Sequence, residues 1–237
     1  MKHISILTLL SMAGFIAFYS YLYISETALV FAIAIFAHEM GHMLALDKLS
    51  YKVKSFYFTP FGGVVVSEGQ RSSKDAVLVK LAGPFIGVIP GIFTLLIGLI
   101  TKQKFYFYQS SIVFLLNAFN LFPIIPLDGG SALRFAAKTF GKKVSMLYHV
   151  LALIFSLGCV ALGVFSAIFS KIGIFVLVVL SAASTIQLVL EVINYKSVDD
   201  EVQLNLSKKE SIVVLAIVPF FIALFTMLAY LSFLLMK

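Results

Sequence analysis

Long apolar runs are the feature that most constrains the fold of this 237-residue chain. Hydrophobic residues make up 61% of the sequence and charged residues only 12%, whereas a soluble chain is about 45–50% apolar and about 25% charged. About seven of the runs reach the roughly 17–25 residues that a helix needs to cross a bilayer. They cover residues 4–24, 28–46, 76–100, 105–125, 146–170, 172–193 and 212–236. The sequence therefore predicts an all-α polytopic membrane protein with about six to seven transmembrane helices.

The distribution of Lys and Arg predicts the orientation of these helices. With the N-terminus in the cytoplasm, 14 of the 18 basic residues fall in cytoplasmic connections, as the positive-inside rule requires. We therefore expect a multi-pass protein of the cell membrane. Because the basic residues are not clustered on one face, the net charge of +7 marks topology. The expected surroundings are the lipid bilayer, and no nucleic acid is expected as a partner.

The second apolar run ends in a polar motif, H-E-M-G-H at residues 38–42. Residues four apart share one face of a helix, so His38 and His42 make a pair of zinc ligands, with Glu39 placed to take a proton from a water. The preceding residues 28–37 carry no charge, and ionisable groups inside an apolar segment are costly and usually functional. An H-E-x-x-H pattern also arises by chance on solvated helix faces, but this segment is not solvated. The motif predicts one Zn²⁺ per chain.

A catalytic zinc usually takes a third protein ligand, and Asp128 is the preferred candidate. Prolines at 123 and 126 interrupt the fourth apolar run before it, and a Gly-Gly pair after it should let the backbone turn. We therefore expect Asp128 to lie on unwound backbone that lines a protected cavity. The predicted topology places it at the same end of the bundle as His42. His149, in the fifth run, is better explained as a packing or hydrogen-bonding group.

Asn117 and Asn120 are two further polar residues in the fourth run. Either could be a hydrogen-bonding group between helices. Alternatively, Asn120 could hold the substrate backbone or stabilise an oxyanion. We favour the functional interpretation for Asn120 and the structural one for Asn117.

The third run carries glycines at positions 83, 87 and 91 and prolines at 84 and 90. Glycines four residues apart let another helix approach closely, and the prolines should distort the helix. Between the second and third runs, within about residues 51–67, two β-branched and aromatic runs flank a Pro/Gly turn. This pattern predicts a short membrane-associated β-hairpin directly after the zinc helix.

An open sheet edge cannot face lipid, so the predicted hairpin must be shielded by protein or water. It could be a connecting loop, or its edge could capture an extended substrate peptide as an added strand. The sequence leaves both interpretations open.

Two ligand motifs in this order and setting resemble the site-2 protease family of intramembrane zinc metalloproteases. The matching patterns are H-E-x-x-H at residues 38–42, P-F-G-G at 60–63, A-G-P at 82–84 and N-x-x-P-x-x-P-L-D-G at 120–129. The resemblance implies that His38, His42 and Asp128 bind zinc and that Glu39 activates a water. It also implies a transmembrane substrate that is cut near its cytoplasmic side. The chain is most similar to the compact members without PDZ or CBS domains, which include a Bacillus sporulation protease that acts on a sigma-factor precursor.

We therefore predict a single integral-membrane zinc metalloendopeptidase domain over residues 1–237, with a catalytic core at about 26–140 and C-terminal helices at about 146–236. Its substrate would be a transmembrane protein or a membrane-associated precursor, cut in regulated intramembrane proteolysis or in maturation. A regulatory membrane partner is a further candidate.

Two other functions compete with this prediction. One is a metal-binding membrane transporter, for which the sequence shows no internal repeat. The other is a non-catalytic protein that only binds membrane helices.

Overall fold

The computed structural model describes most of the chain. The described residues are 6–22, 25–59, 62–69, 72–166 and 204–236, with the single positions 182, 185, 186 and 189. The predicted apolar run 172–193 lies outside the described residues except at those four positions. The first two residues of the 60–63 turn motif also lie outside them.

The described chain is mostly helical. Its helices are α1 (Ile6–Leu22), α2 (Ser25–Lys48), α3 (Ser73–Gly87), α4 (Ile89–Thr101), α5 (Lys104–Asn120), α6 (Asp128–Lys138), α7 (Lys142–Ser166) and α8 (Lys208–Leu234). Within the described ranges, four helical stretches are long and apolar enough to cross a membrane by length and composition: Glu26–Lys48, Ser73–Thr101, Lys142–Ala161 and Lys208–Leu234. α1 and α5 have 17 residues each, at the short end of the spanning range. The predicted helical membrane class is confirmed.

The third apolar run is not one continuous helix. α3 ends at Gly87, Val88 forms a turn, and α4 begins at Ile89 with Pro90 in its first turn. Proline has no N–H to donate to a carbonyl four residues earlier, so the hydrogen bonds of α3 do not continue into α4. The predicted distortion by proline is confirmed at this position.

The predicted hairpin is present. β1 (Val53–Thr59) and β2 (Gly62–Ser67) pair antiparallel, with Phe58 opposite Gly63. At the open end of the hairpin, Lys54 Nζ lies 2.6 Å from a carboxylate oxygen of Glu68. This hydrogen-bonded ammonium holds the pKa of Glu68 below its ordinary value.

One edge of β1 pairs with β2, and α1 covers part of the opposite edge. The Thr8 hydroxyl donates to the Phe56 carbonyl at 2.5 Å, and the Phe58 N–H donates to the Ser11 hydroxyl at 3.0 Å. A backbone polar group at membrane depth needs a partner inside the protein, and two side chains of α1 supply it here. A peptide strand cannot add along this part of β1 while α1 is in place.

The chain divides into two compact units. The first comprises Met1–Gly69, Leu78–Phe119 and Phe221–Lys237, and the second comprises Gln70–Val77 and Asn120–Phe220. In the first unit, α1, α2 and the hairpin share a core of apolar side chains that includes Phe15, Ile35, Leu46, Phe56 and Val79. Burial of this surface stabilises the unit by about 25 cal/mol per Å² of apolar area.

In the second unit, α6 packs on α7, and the rings of Phe122 and Phe155 meet at 5.3 Å between centroids. The segment before α8 holds the start of α3, because the Asn205 side-chain oxygen accepts from the Lys74 N–H at 3.0 Å. That oxygen satisfies one of the N–H groups that a helix start leaves without an intrahelical partner.

Candidate metal centre

α2 presents His38 and His42 on one face, from consecutive turns, as their spacing predicts. Both side chains are buried, with exposed fractions of 4% and 8%. Their Nε2 atoms lie 3.2 Å apart. The ring centroids are 4.8 Å apart and the rings are nearly perpendicular, so the two Nε2 atoms converge on a common region.

The other nitrogen of each ring faces a hydrogen-bond acceptor. His42 Nδ1 lies 2.7 Å from the Val79 carbonyl oxygen, and His38 Nδ1 lies 3.0 Å from Asn117 Oδ1. The Asn117 amide nitrogen donates to the Val113 carbonyl at 2.9 Å, which assigns the amide oxygen to the His38 side. Both Nδ1 atoms therefore carry a proton, and Nε2 is the nitrogen of each ring that presents a lone pair when the ring is neutral.

This pair of nitrogens fits a zinc ion. The two Nε2 atoms lie 3.2 Å apart, so one cation can be held by the lone pairs of both. Two nitrogens on one tetrahedral zinc, with Zn–N bonds of about 2.0–2.1 Å, are separated by about 3.3 Å. The observed separation meets this requirement.

Gly83 of α3 keeps the space beside the two nitrogens clear. A Cβ at this position would lie 2.5 Å from His42 Nε2 and 3.0 Å from His38 Nε2. Farther along the same stripe, a Cβ at Gly87 would lie 3.0 Å from His38 Cβ. The predicted close approach of another helix to these glycines is confirmed. The histidine helix α2 lies against Gly83, both α2 and α5 lie against Gly87, and α5 lies against Gly91.

Glu39 lies under the hairpin. Its side chain is buried, and a Cβ at Gly63 of β2 would lie 2.7 Å from Glu39 Cδ and 2.8 Å from Oε1. Only glycine lets the strand pass this close to the carboxylate. This contact between hairpin and acid was not predicted, although a glycine pair at the start of a β-branched strand is a signal of close backbone approach.

Asp128 is buried and is the first residue of α6. The expectation that it lies on unwound backbone is therefore wrong. The unwound stretch is residues 121–127, between α5 and α6. Prolines at 123 and 126 cannot continue α5, whereas an acidic residue is favourable in the first turn of a new helix, so the helix restarts at Asp128.

The two glycines after Asp128 serve close packing. A Cβ at Gly129 would lie 2.6 Å from Leu121 Cα, and one at Gly130 would lie 2.8 Å from the Ile125 nitrogen. The Tyr148 hydroxyl also donates to the Gly130 carbonyl at 2.7 Å. The glycines were expected to let the backbone turn, but they lie inside α6 and hold its first turn against the preceding segment.

All three predicted ligands are buried. His38 and His42 lie in the first unit, and Asp128 lies in the second. Asn120 ends α5 and is half-buried. Asn117, for which the sequence favoured a purely structural role, is the asparagine that contacts His38.

The sequence matches the model of one protein family and is similar to three curated proteins, two of which follow. Residues 26–104 match Peptidase family M50. A zinc metalloprotease of Methanocaldococcus jannaschii is 30% identical over 108 residues, which are 43% of this chain and 31% of that protein. Stage IV sporulation protein FB of Bacillus subtilis is 32% identical over 116 residues, 46% of this chain and 39% of that protein. The chain thus matches about a third of the length of these relatives.

The fold is similar to a solved structure, the site-2 protease from Methanocaldococcus jannaschii. The similarity covers 76% of this chain and 85% of the other, with a TM-score of 0.51 and 21% sequence identity. At this identity the similarity concerns the fold.

Proposed function

We propose that this chain is an intramembrane zinc metalloendopeptidase. Its residues 26–104 match Peptidase family M50, which confirms the predicted resemblance to the site-2 protease family. It hydrolyses a peptide bond within or near a transmembrane segment of a membrane protein. The observation that carries the proposal is the buried histidine pair on α2, whose Nε2 lone pairs converge, with Glu39 next to it in the sequence.

His38, His42 and Asp128 would hold the zinc ion. The ion, when bound, supplies Lewis-acid polarisation of the scissile carbonyl and lowers the pKa of a water towards neutrality. Two nitrogen ligands and one carboxylate are the donor set of several zinc peptidases. We also propose that each chain binds one zinc ion and that residues 1–237 form a single protease domain.

Glu39 acts as the general base and acid. Its carboxylate takes a proton from the attacking water and passes it to the leaving amine nitrogen, so that both products leave in stable protonation states. Gly63 leaves room for the carboxylate under β2. We assign Asn120 to the substrate backbone or the developing oxyanion.

The substrate must unwind locally before it is cut, because a helical backbone keeps its carbonyls in internal hydrogen bonds. Water must also reach Glu39, which supports a position near one membrane surface. The distribution of basic residues favours the cytoplasmic surface. Such a site fits both regulated intramembrane proteolysis and the maturation of a precursor. In either process a second membrane protein would regulate the protease.

Gly63→Ala is expected to reduce hydrolysis by about 100-fold or more and to leave zinc binding unchanged. The added methyl group overlaps the Glu39 side chain, so the base moves, whereas the histidine pair on the same helix keeps its partners. A loss of a positioned general base is worth about 10²–10⁴-fold. Zinc content and hydrolysis of a transmembrane substrate are measured on the same purified sample.

Gly14→Ala is the control for this change, because a Cβ at Gly14 meets no atom within 4 Å. Full activity in Gly63→Ala would show that the hairpin does not constrain Glu39.

The proposed function is tested in cells that express the wild type or Glu39→Gln. Protein termini in the membrane fraction are mapped by mass spectrometry. We expect new termini inside transmembrane segments only with the wild type, and longer membrane stubs that accumulate only with the variant. Identical termini in the two strains, with both proteins present and zinc-loaded, would contradict the proposed protease.

A further inference from the structure

We propose that Asn117 is a positioning residue for zinc. It fixes the tautomer and ring orientation of His38, so that Nε2 is presented to the ion. The inference deepens the proposed function and rests on the zinc site that the function requires. It goes beyond the predicted ligands and base, because Asn117 touches none of the reacting atoms.

The two histidines are oriented in different ways. His42 Nδ1 donates to the Val79 carbonyl, a main-chain group that every residue type at position 79 provides. His38 Nδ1 donates to Asn117 Oδ1 across 3.0 Å, and this partner is a side chain of α5. The orientation of His42 therefore depends on the main chain, whereas the orientation of His38 depends on which side chain occupies position 117.

Asn117 is itself held in place. It is fully buried, and its amide nitrogen donates to the Val113 carbonyl one turn earlier in α5. A rotated amide would place its oxygen against that carbonyl oxygen, so this bond selects the orientation with Oδ1 towards His38. A Cβ at Gly87 would lie 3.0 Å from Asn117 Cγ and 3.0 Å from His38 Cβ, and the glycine thus admits the amide beside the ring.

The chemistry of the partner also suits the site. A histidine that binds a metal usually donates its second N–H to an acceptor, which raises its basicity and fixes the ring. A carboxylate at position 117 would do the same but would introduce a negative charge at a fully buried position. The neutral amide provides the acceptor without the cost of another buried charge.

The test measures metal binding on the full chain in detergent or lipid. The dissociation constant for Zn²⁺ is determined by competition with a chelator, and the visible absorption of bound Co²⁺ reports the ligand geometry. Asn117→Leu keeps the approximate volume but removes the acceptor, and we expect it to raise the zinc dissociation constant about 10–100-fold and to change the Co²⁺ spectrum. Asn117→Asp restores an acceptor and should recover most of the zinc affinity.

Ser110→Ala is the matched control for packing. Ser110 is another fully buried polar residue of α5, and its hydroxyl donates to the Gly91 carbonyl. Its loss should weaken helix packing and leave the zinc dissociation constant and the Co²⁺ spectrum at wild-type values. An equal loss of zinc affinity in Ser110→Ala and Asn117→Leu would overturn the proposal, and so would a failure of Asn117→Asp to recover it.

The outcomes separate this inference from the proposed function. A wild-type chain that binds zinc but cuts no substrate would overturn the protease and leave the role of Asn117 to be judged by zinc affinity. A proteolytic wild type with unchanged zinc binding in Asn117→Leu would overturn the inference alone. A wild type that binds no zinc would overturn both.

Discussion

Glu39→Gln is expected to reduce peptide-bond hydrolysis by about 10³–10⁴-fold, near the upper end of what one general acid–base group contributes, while zinc stays bound. Glutamine has almost the volume of glutamate, so it fits under Gly63 as the native side chain does. Its amide does not accept the proton of the attacking water and has none to pass to the leaving amine. The partners of the His38 and His42 rings, Asn117 and the Val79 carbonyl, are unchanged.

The measurement uses the purified full chain in lipid vesicles, with a transmembrane substrate and elemental analysis for zinc. Glu26→Gln is the control, because it makes the same chemical change on an exposed side chain in the first turn of the same helix, and full activity is expected. Wild-type rates in Glu39→Gln would show that Glu39 is not the base. Loss of zinc together with activity would instead assign Glu39 to the integrity of the metal site.

Gly83→Ala is expected to weaken zinc binding about 10–100-fold or more, and to lower hydrolysis with it. The new methyl group would lie 2.5 Å from His42 Nε2, in the space that both nitrogens face. The His42 ring cannot swing away without losing its bond to the Val79 carbonyl. Overpacking of this kind costs about 1–3 kcal/mol, and each 1.4 kcal/mol is about tenfold in affinity.

The zinc dissociation constant is measured for Gly83→Ala and for Gly158→Ala. The second variant makes the same change at a glycine of α7 whose Cβ would meet no atom within 4 Å. Helical content by circular dichroism establishes that both variants fold. If the folded Gly83→Ala protein bound zinc as tightly as the wild type does, this glycine would not be needed to keep space for the metal.

Features that depend on near neighbours in the chain were predictable from sequence. The histidine pair follows from the four-residue helical repeat, and the hairpin follows from two β-branched runs around a Pro/Gly turn. Both lie where the sequence indicates, with β1 at Val53–Thr59 and β2 at Gly62–Ser67.

Features that depend on how distant segments pack were not predictable. Asn117 and Asn120 are three residues apart on α5, and the local pattern does not show which one faces α2. The contact with His38 depends on how α5 and α2 both pack beside Gly87 of α3. For the same reason the prolines before Asp128 signalled an interruption but not the residue where the helix restarts.

The cover that α1 provides for β1 has a consequence for biogenesis. Thr8 and Ser11 are translated before Phe56 and Phe58, the strand residues whose backbone they satisfy. The hydroxyl groups are thus already synthesised when the hairpin leaves the ribosome, and the strand can meet its partners without an interval in which its polar backbone faces lipid. The chain therefore makes the cover of β1 before it makes β1 itself.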